Sequence, residues 1–308
     1  MAVIIPQVVT EERASGAQVI EGSTYFYKDA DDYLKKIYGS DGNRTTWTWS
    51  AWVKRGYSFE SWRRLWTCEP DGSNIAGISF RGDGTKDAIR IQQQSSGINN
   101  HATTNGVFRD SNGWYHIVIA SDTTDANAGD RLKIYVNGVL ETYTWSTGGN
   151  PAQNSTWLYN STSDSHVIGK STAHAAPYHG WMSQVYWIDG QQLGPEHFGF
   201  NDQLTKFWRP KKYSGTYGQN GFYLPLDGNK PITEDQSGQG NNFEMYGSLN
   251  TVPLDKATGG LPIYNTTGGG QNASGGIRPD YGTRTCEAVK KSDCTKFDGD
   301  GDYLTFNP

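Results

Sequence analysis

Six histidines, 32 acidic residues and three cysteines are the side chains of this 308-residue chain that could ligate a metal, carry a proton or act as a nucleophile. Their spacing offers little of that chemistry. His174 and His179 lie five apart in a loop-like stretch, His116 alternates within an apolar run, and no H-x-x-x-H helix presents a pair on one face. Cys68, Cys286 and Cys294 contain no C-x-x-C spacing, which leaves Cys286 and Cys294 either free or closing a small loop. No G-x-S-x-G, phosphate-binding loop or dinucleotide fingerprint occurs. Flat aromatic surface is what the chain has in abundance: 11 Trp, 18 Tyr and 11 Phe against three Met. Trp62, Trp66, Trp145, Trp157, Tyr159 and Tyr178 stand outside the cleanly alternating segments, and Asn154, Asn160 and Asp164 flank Trp157 and Tyr159. Rings beside amides and a carboxylate offer stacking faces with hydrogen-bonding partners. The alternative is that they are packing.

Such residues need a scaffold, and the scaffold reads as strands. In 47–55, Trp47, Trp49, Ala51 and Val53 share one face while Thr48, Ser50, Trp52 and Lys54 share the other, the period of a half-buried strand. Residues 114–121 alternate likewise, with Tyr115, Ile117 and Ile119 opposite His116, Val118 and Ala120. In 132–145, Asn137-Gly138 supplies the two positive-φ residues of a type I′ hairpin between alternating runs. Further strands are expected at 76–82, 87–94, 165–171, 181–190 and 221–227, and a single helical turn opened by Pro195 at 194–200. Many short strands joined by Gly, Asn, Asp and Ser predict an antiparallel sandwich or jelly roll.

No apolar run approaches the ~18 residues of a membrane-spanning helix. With 27 basic residues against 32 acidic, net charge −5, and no basic cluster longer than Lys211-Lys212, the expected partners include neither nucleic acid nor membrane. The start, MAVIIPQVVTEERASG, lacks the basic n-region of a secretory signal. Residues 1–20 read as an N-terminal arm, 21–246 as the sandwich, and 247–292 as a Gly-rich linker or wrapping loop. Residues 293–308 read as the first strand of a second module, because KFDGDGDYLTFNP echoes YFYKDADDYLKKI (25–37). The stop after Pro308 points to a longer native chain.

The segments FYKDADDYL, WTWSAWVKR, GWYHIVIASDTT, DRLKIYVNGVLE, HVIGK and HGWMSQVYWIDGQQLGPEHFG occur in the order of a laminin-G-like jelly roll. Over residues 21–200 the chain resembles this part of the concanavalin A-like superfamily, which also includes pentraxins and legume lectins. The run FWRPKKYSGTYGQNGFYLPLDGN with DQSGQGNNF (within 207–243), together with VVTEERASGAQVIEGS (8–23), resembles laminin-G-like modules of bacteriophage structural proteins, particularly phages of marine cyanobacteria and other aquatic bacteria.

The resemblance implies an all-β antiparallel jelly-roll sandwich in a virion protein such as a tail fibre, appendage or capsid-associated adhesin. It would assemble in the host cytoplasm, which accords with the absent export signal, and act in several copies on host-surface glycans. The arm would dock onto other virion proteins. The five N-x-S/T sequons are then accidents of an Asn- and Thr-rich composition. For glycan contact the resemblance directs attention to Trp157, Tyr159, Asn154, Asn160, Asp164, Trp145 and Tyr178. For calcium, possible though not required as a cofactor, it directs attention to the acidic turn of Asp29, Asp31 and Asp32, echoed by Asp298, Asp300 and Asp302. Where related modules read G-x-I-D-E-V, this chain has Gly180-Trp181-Met182-Ser183-Gln184-Val185, which puts calcium at that strand in doubt. Glycoside hydrolases on this sandwich carry E-x-D-x-(x)-E along one strand; no strand here contains it, and the expectation is a non-enzyme. The alternatives are a purely architectural building block without sugar binding and, more remotely, a glycoside hydrolase.

Overall fold

The structure, a computed structural model, describes residues 16–250 except 19, 21, 57–61, 84–86, 96–97, 112, 163, 172–175, 204–205 and 229, together with 256–257. The strands, in chain order, are β1 (Ser23–Phe26), β2 (Tyr33–Ile37), β3 (Thr46–Arg55), β4 (Arg63–Asp71), β5 (Asn74–Phe80) and β6 (Ile89–Ser95). Then follow β7 (Ile98–Thr104), β8 (Trp114–Asp122), β9 (Leu132–Val136), β10 (Val139–Leu140), β11 (Tyr143–Thr147) and β12 (Ser165–Ile168). The rest are β13 (Gly180–Asp189), β14 (Gly199–Asn201), β15 (Trp208–Pro210), β16 (Phe222–Leu224), β17 (Glu244–Tyr246) and β18 (Lys256–Ala257). Helical structure among the described residues is confined to 3-10 turns, including Pro195–His197 where Pro195 was expected to open one.

Two antiparallel sheets form the sandwich. One runs β10-β9-β8-β3-β13-β1-β18, with β16 on β13; the other runs β11-β7-β6-β5-β4-β12-β2-β17. Alternation selects their inner faces. Trp47, Trp49, Ala51 and Val53 of β3 meet Leu65, Trp66, Ile78, Phe80, Ile89 and Ile91 of the facing sheet in one core. A buried Trp removes roughly 150–250 Å² from water, an upper-bound gain of roughly 4–6 kcal/mol. That exceeds the ~1–3 kcal/mol cost of an unmade hydrogen bond. The balance explains why the indole N–H groups of Trp47, Trp49 and Trp66 are buried without partners among the described residues.

The outer face of the first sheet departs from expectation. Thr48, Ser50 and Trp52 of β3 and His116, Val118 and Ala120 of β8 are buried, not solvated. Residues beyond β13 lay a second apolar layer there, in which Phe198, Tyr213, Tyr217 and Tyr223 pack with Val118, Tyr186 and Ile188. A smaller cluster of Ile20, Trp52 and Trp114 is flanked by Trp181 and Trp208. Alternation told which face looks inward; it could not tell that later sequence would cover the other.

Asn137 and Gly138 adopt φ values of +48° and +80°, as a type I′ turn requires. Only Val139 and Leu140 return along β9, however, and β11 leaves to pair with β7 in the opposite sheet. Nor do β1 and β2 form a hairpin: the acidic turn between them is a corner joining the two sheets. At the far end of the sandwich, Phe243 and Leu249 enter the main core, and β18 pairs with β1. The echo at 293–308, with Asp298, Asp300 and Asp302, falls outside the described residues, as do Cys286, Cys294 and most of the arm.

A Cβ on Gly138 would run into the indole ring of Trp208, whereas Gly238, at φ +87°, faces open space. Gly138→Ala is therefore expected to cost about 2–3 kcal/mol and Gly238→Ala about 1 kcal/mol, read from urea denaturation midpoints.

Candidate functional site

Four of the seven residues expected to meet a glycan are part of the interior. Trp157, Tyr159, Asn160 and Tyr178 are all at most 2% exposed. The Trp157 indole stands edge-on to Trp47 with ring centroids 5.2 Å apart and donates Nε1–H to Ser121 Oγ at 2.9 Å. Tyr159 donates its hydroxyl to the Trp66 carbonyl at 3.3 Å, and Tyr178 to the Lys54 carbonyl at 2.8 Å. Asn160, at φ +63°, donates through Nδ2 to Asp189 Oδ1 and to the Asn43 carbonyl, and accepts from Trp187 Nε1 at 2.8 Å. Asp189 also accepts from the backbone N–H groups of Asn43 and Asn220. The loop-like segment 157–160 is thus a plug across one end of the sandwich, and the expectation of an exposed platform there is corrected. Asp164 is half-buried and accepts from Ser161 Oγ.

The acidic turn is likewise dispersed. Asp29 pairs with Lys28 at 2.6 Å, Asp31 pairs with Lys170, and buried Asp32 accepts from the Tyr27 N–H at 2.9 Å. Each carboxylate has its own local partner, so the expected calcium ligands do not converge. Among the described residues no group of three or more His, Cys, Asp or Glu is placed to hold a metal. The distinctive run at 235–242 is also structural: Asp235 accepts from the N–H groups of Tyr223, Ser237 and Asn241, tying that turn to β16.

Trp145 is half-buried and packs against the main core, Asn154 is exposed, and neither lines the groove of about 280 Å³ found at the β7–β11 edge of the second sheet. Ile98, Asn99, Asn100, Thr147, Asn150 and Ser155 line it. Gly148 lets the chain after β11 approach this closely; at φ +72°, any Cβ there would strike the Asn99 carbonyl. Half-buried Trp145 donates Nε1–H to Asn150 Oδ1 at 2.7 Å, which orients both the indole and the amide. The volume sits near the lower end of the ~300–1,000 Å³ range of small-molecule sites. Its described lining carries amides and hydroxyls and no carboxylate. Chemically it suits a hydroxyl-rich neutral ligand held by amide and hydroxyl partners. Asn99 and Asn100 escaped sequence reading because β7, INNHATT, has no apolar alternation to mark it as a strand.

His116 and His166 are satisfied as neutral rings. His116 accepts from Trp208 Nε1 at Nδ1 and so donates from Nε2 to Ser50 Oγ, both at 2.9 Å. His166 accepts the Asn160 N–H at Nε2 and donates from Nδ1 to the Asp164 carbonyl, both at 3.0 Å. Burial pushes each imidazole from its ordinary 6.5 down to about 3.

A family profile described as the concanavalin A-like lectin/glucanases superfamily, of laminin G type, matches residues 28–195, and the chain belongs to that superfamily. Comparison with curated proteins gives no match. Among solved structures, a native heptameric SAP-like pentraxin from Limulus polyphemus aligns at 16% identity and TM-score 0.39, over 56% of this chain and 78% of the pentraxin. Ruminococcus gnavus IT-sialidase CBM40 bound to α2,3-sialyllactose aligns at 11% identity and TM-score 0.35, covering 49% and 87%. Tailspike protein 2 of Escherichia coli O157:H7 bacteriophage CAB120 aligns at 13% identity and TM-score 0.41, over 63% of this chain but 25% of the tailspike.

Removing the Asn160 amide leaves the Trp187 N–H without its acceptor, and Asn160→Ala is expected to cost about 3 kcal/mol in urea unfolding. Acid acts through the two histidines. Above pH 6.5 both folded and unfolded chains carry neutral rings. Below it, the unfolded chain takes up protons that the folded rings refuse until about pH 3, so stability is lost progressively between these values. The unfolding free energy should fall from about pH 7 to about pH 4.5, with a shallower slope in His116→Gln.

Proposed function

We propose that this chain is a non-enzymatic phage virion protein whose sandwich attaches the particle to host-surface glycans. The observation that carries the reading is the groove at the β7–β11 edge, where Asn99, Asn100, Thr147 and Asn150 present hydrogen-bonding groups beside the oriented Trp145 indole. A glycan-cleaving site needs two carboxylates about 5–10 Å apart across the bound sugar. The described lining of this groove supplies none. The superfamily to which the chain belongs supports lectin-like recognition. The sequence resemblance of 207–243 to phage structural modules supports the virion assignment and, with it, assembly in the host cytoplasm. Single-site contacts in so small a groove would be weak, and several copies on one particle would supply avidity.

An architectural role is the second reading. Val139 and Leu140 on the edge strand β10 are 63% and 58% exposed, and an apolar edge of this kind favours packing against a further copy of the chain.

Fluorescently labelled protein is expected to bind host cells saturably, and periodate oxidation of the cell surface to abolish binding. Asn150→Ala should weaken it about ten-fold through loss of the amide that the Trp145 indole orients in the groove. Binding that survives periodate, or none at all with Val139→Lys breaking self-association, would favour the architectural reading.

A further inference from the structure

The outward face of the second sheet carries a feature that the groove does not use. Arg64 of β4, Ser79 of β5, Arg90 of β6 and Thr103 of β7 stand in register, forming one rung across four strands. Every member of the rung has a buried polar atom without a partner among the described residues: Arg64 Nε, Ser79 Oγ, Arg90 Nε and Thr103 Oγ1. His101, one rung along on β7, adds Nε2. Native proteins leave only a few such atoms per ~100 residues, so five in one patch call for an explanation.

All five can donate. The hydroxyls and guanidinium N–H groups do so by nature. His101 Nδ1 faces an Arg90 Nη group; because a guanidinium cannot accept, Nδ1 does, and the proton of the neutral ring resides on Nε2. The ring is held neutral: burial, with Arg90, Arg64 and Arg81 beside it, pushes His101 down to about 4. Positive charge is concentrated as well. The guanidiniums of Arg90, Arg64 and Arg81 lie 4.9, 5.2 and 5.8 Å from the centroid of the half-buried Trp62 ring. Against them stand Asp83, paired with Arg81 at 3.0 Å on the exposed rim, and Glu69. Burial and the neighbouring Arg81 lower Arg90 to about 10, the response of a cation crowded by its own kind. Gly77 makes the arrangement possible, since a Cβ there would lie 2.8 Å from Arg64 Nη1, and its absence lets Arg64 cross the sheet to Gln92 Oε1 at 3.3 Å.

The geometry points to an anion subsite: the Arg64–Arg90 rung, with Arg81, His101 and Trp62, takes the carboxylate or sulfate of an acidic sugar. A small turn of Arg90 beneath the indole brings the orphaned donors to the entering oxygens, and Trp62 supplies an apolar surface for the sugar ring. A polyphosphate would offer oxygens to the rung and leave the Trp62 face unfilled, whereas an acidic sugar supplies both an anion and a ring to lie against the indole. This inference rests on the glycan-binding reading and specifies the class of glycan.

Titration calorimetry of the full chain with polygalacturonate, dextran sulfate and neutral dextran tests it, the first two separating carboxylate from sulfate. At least one acidic polymer should bind saturably where dextran does not, and the affinity should fall steeply between about 50 and about 300 mM salt. Arg90→Gln should weaken that binding about ten-fold or more, and Arg81→Gln, at the rim, several-fold, with thermal unfolding confirming that both variants fold. Acidic polymers that bind no better than dextran, or folded variants that bind like the unaltered chain, would overturn the inference. If host cells still bind the protein through periodate-sensitive glycans in that event, glycan attachment stands and only its acidic preference falls.

Discussion

Five aromatic rings hold the two sheets in register, and the rest of the molecule is arranged around keeping them dry. Trp47 packs against Trp187, Trp157 and Tyr159 at centroid distances of 5.0, 5.2 and 5.3 Å, and Trp66 closes on Tyr159 and Trp187 at 6.0 and 5.7 Å. Such bulk fills a wide gap between sheets with few side chains, but it brings polar edges inside. The structure meets part of that demand, for Trp157 and Trp187 but not for Trp47 and Trp66, where the chain crosses the end of the sandwich. Ser121 takes the Trp157 N–H, and Asn160, braced by Asp189 and Asn43, takes the Trp187 N–H. The plug at 157–160 is therefore part of the core's chemistry, and the Asn160 amide is committed to the Trp187 indole, Asp189 and Asn43.

The covering layer of Phe198, Tyr213, Tyr217 and Tyr223 occupies the outer face of the first sheet. The second sheet carries the amide-lined groove at its β7–β11 edge and the arginine rung beside Trp62 on its outward face. In the proposed reading, neutral hydroxyls suit the groove and an anionic substituent suits the rung.

Much of the framework was legible in the chain before any coordinates. Alternation in 47–55 and 114–121 marked the inward faces of β3 and β8 correctly, and Asn137-Gly138 announced its turn, because backbone periodicity and positive φ are local properties. β4 and β7 were not legible. A bulge between Arg64 and Trp66 breaks the period of two in β4, and β7 is polar along most of its length. The candidate site was read less well than the fold. Trp157 and Tyr159 sit between strands with Asn and Asp as neighbours, a pattern shared by an exposed platform and by a plug that turns its rings inward.

By itself, then, the sequence determined the all-β class, the principal strands and the abundance of aromatic surface, since each follows from residue type and spacing along the chain. Tertiary structure alone decided which rings are core and which stand at a surface, where β11 pairs, and that three arginines far apart in sequence meet over one indole. The reason is physical: burial and cross-strand register depend on what other segments lay over a residue, and a strand carries no record of its neighbours.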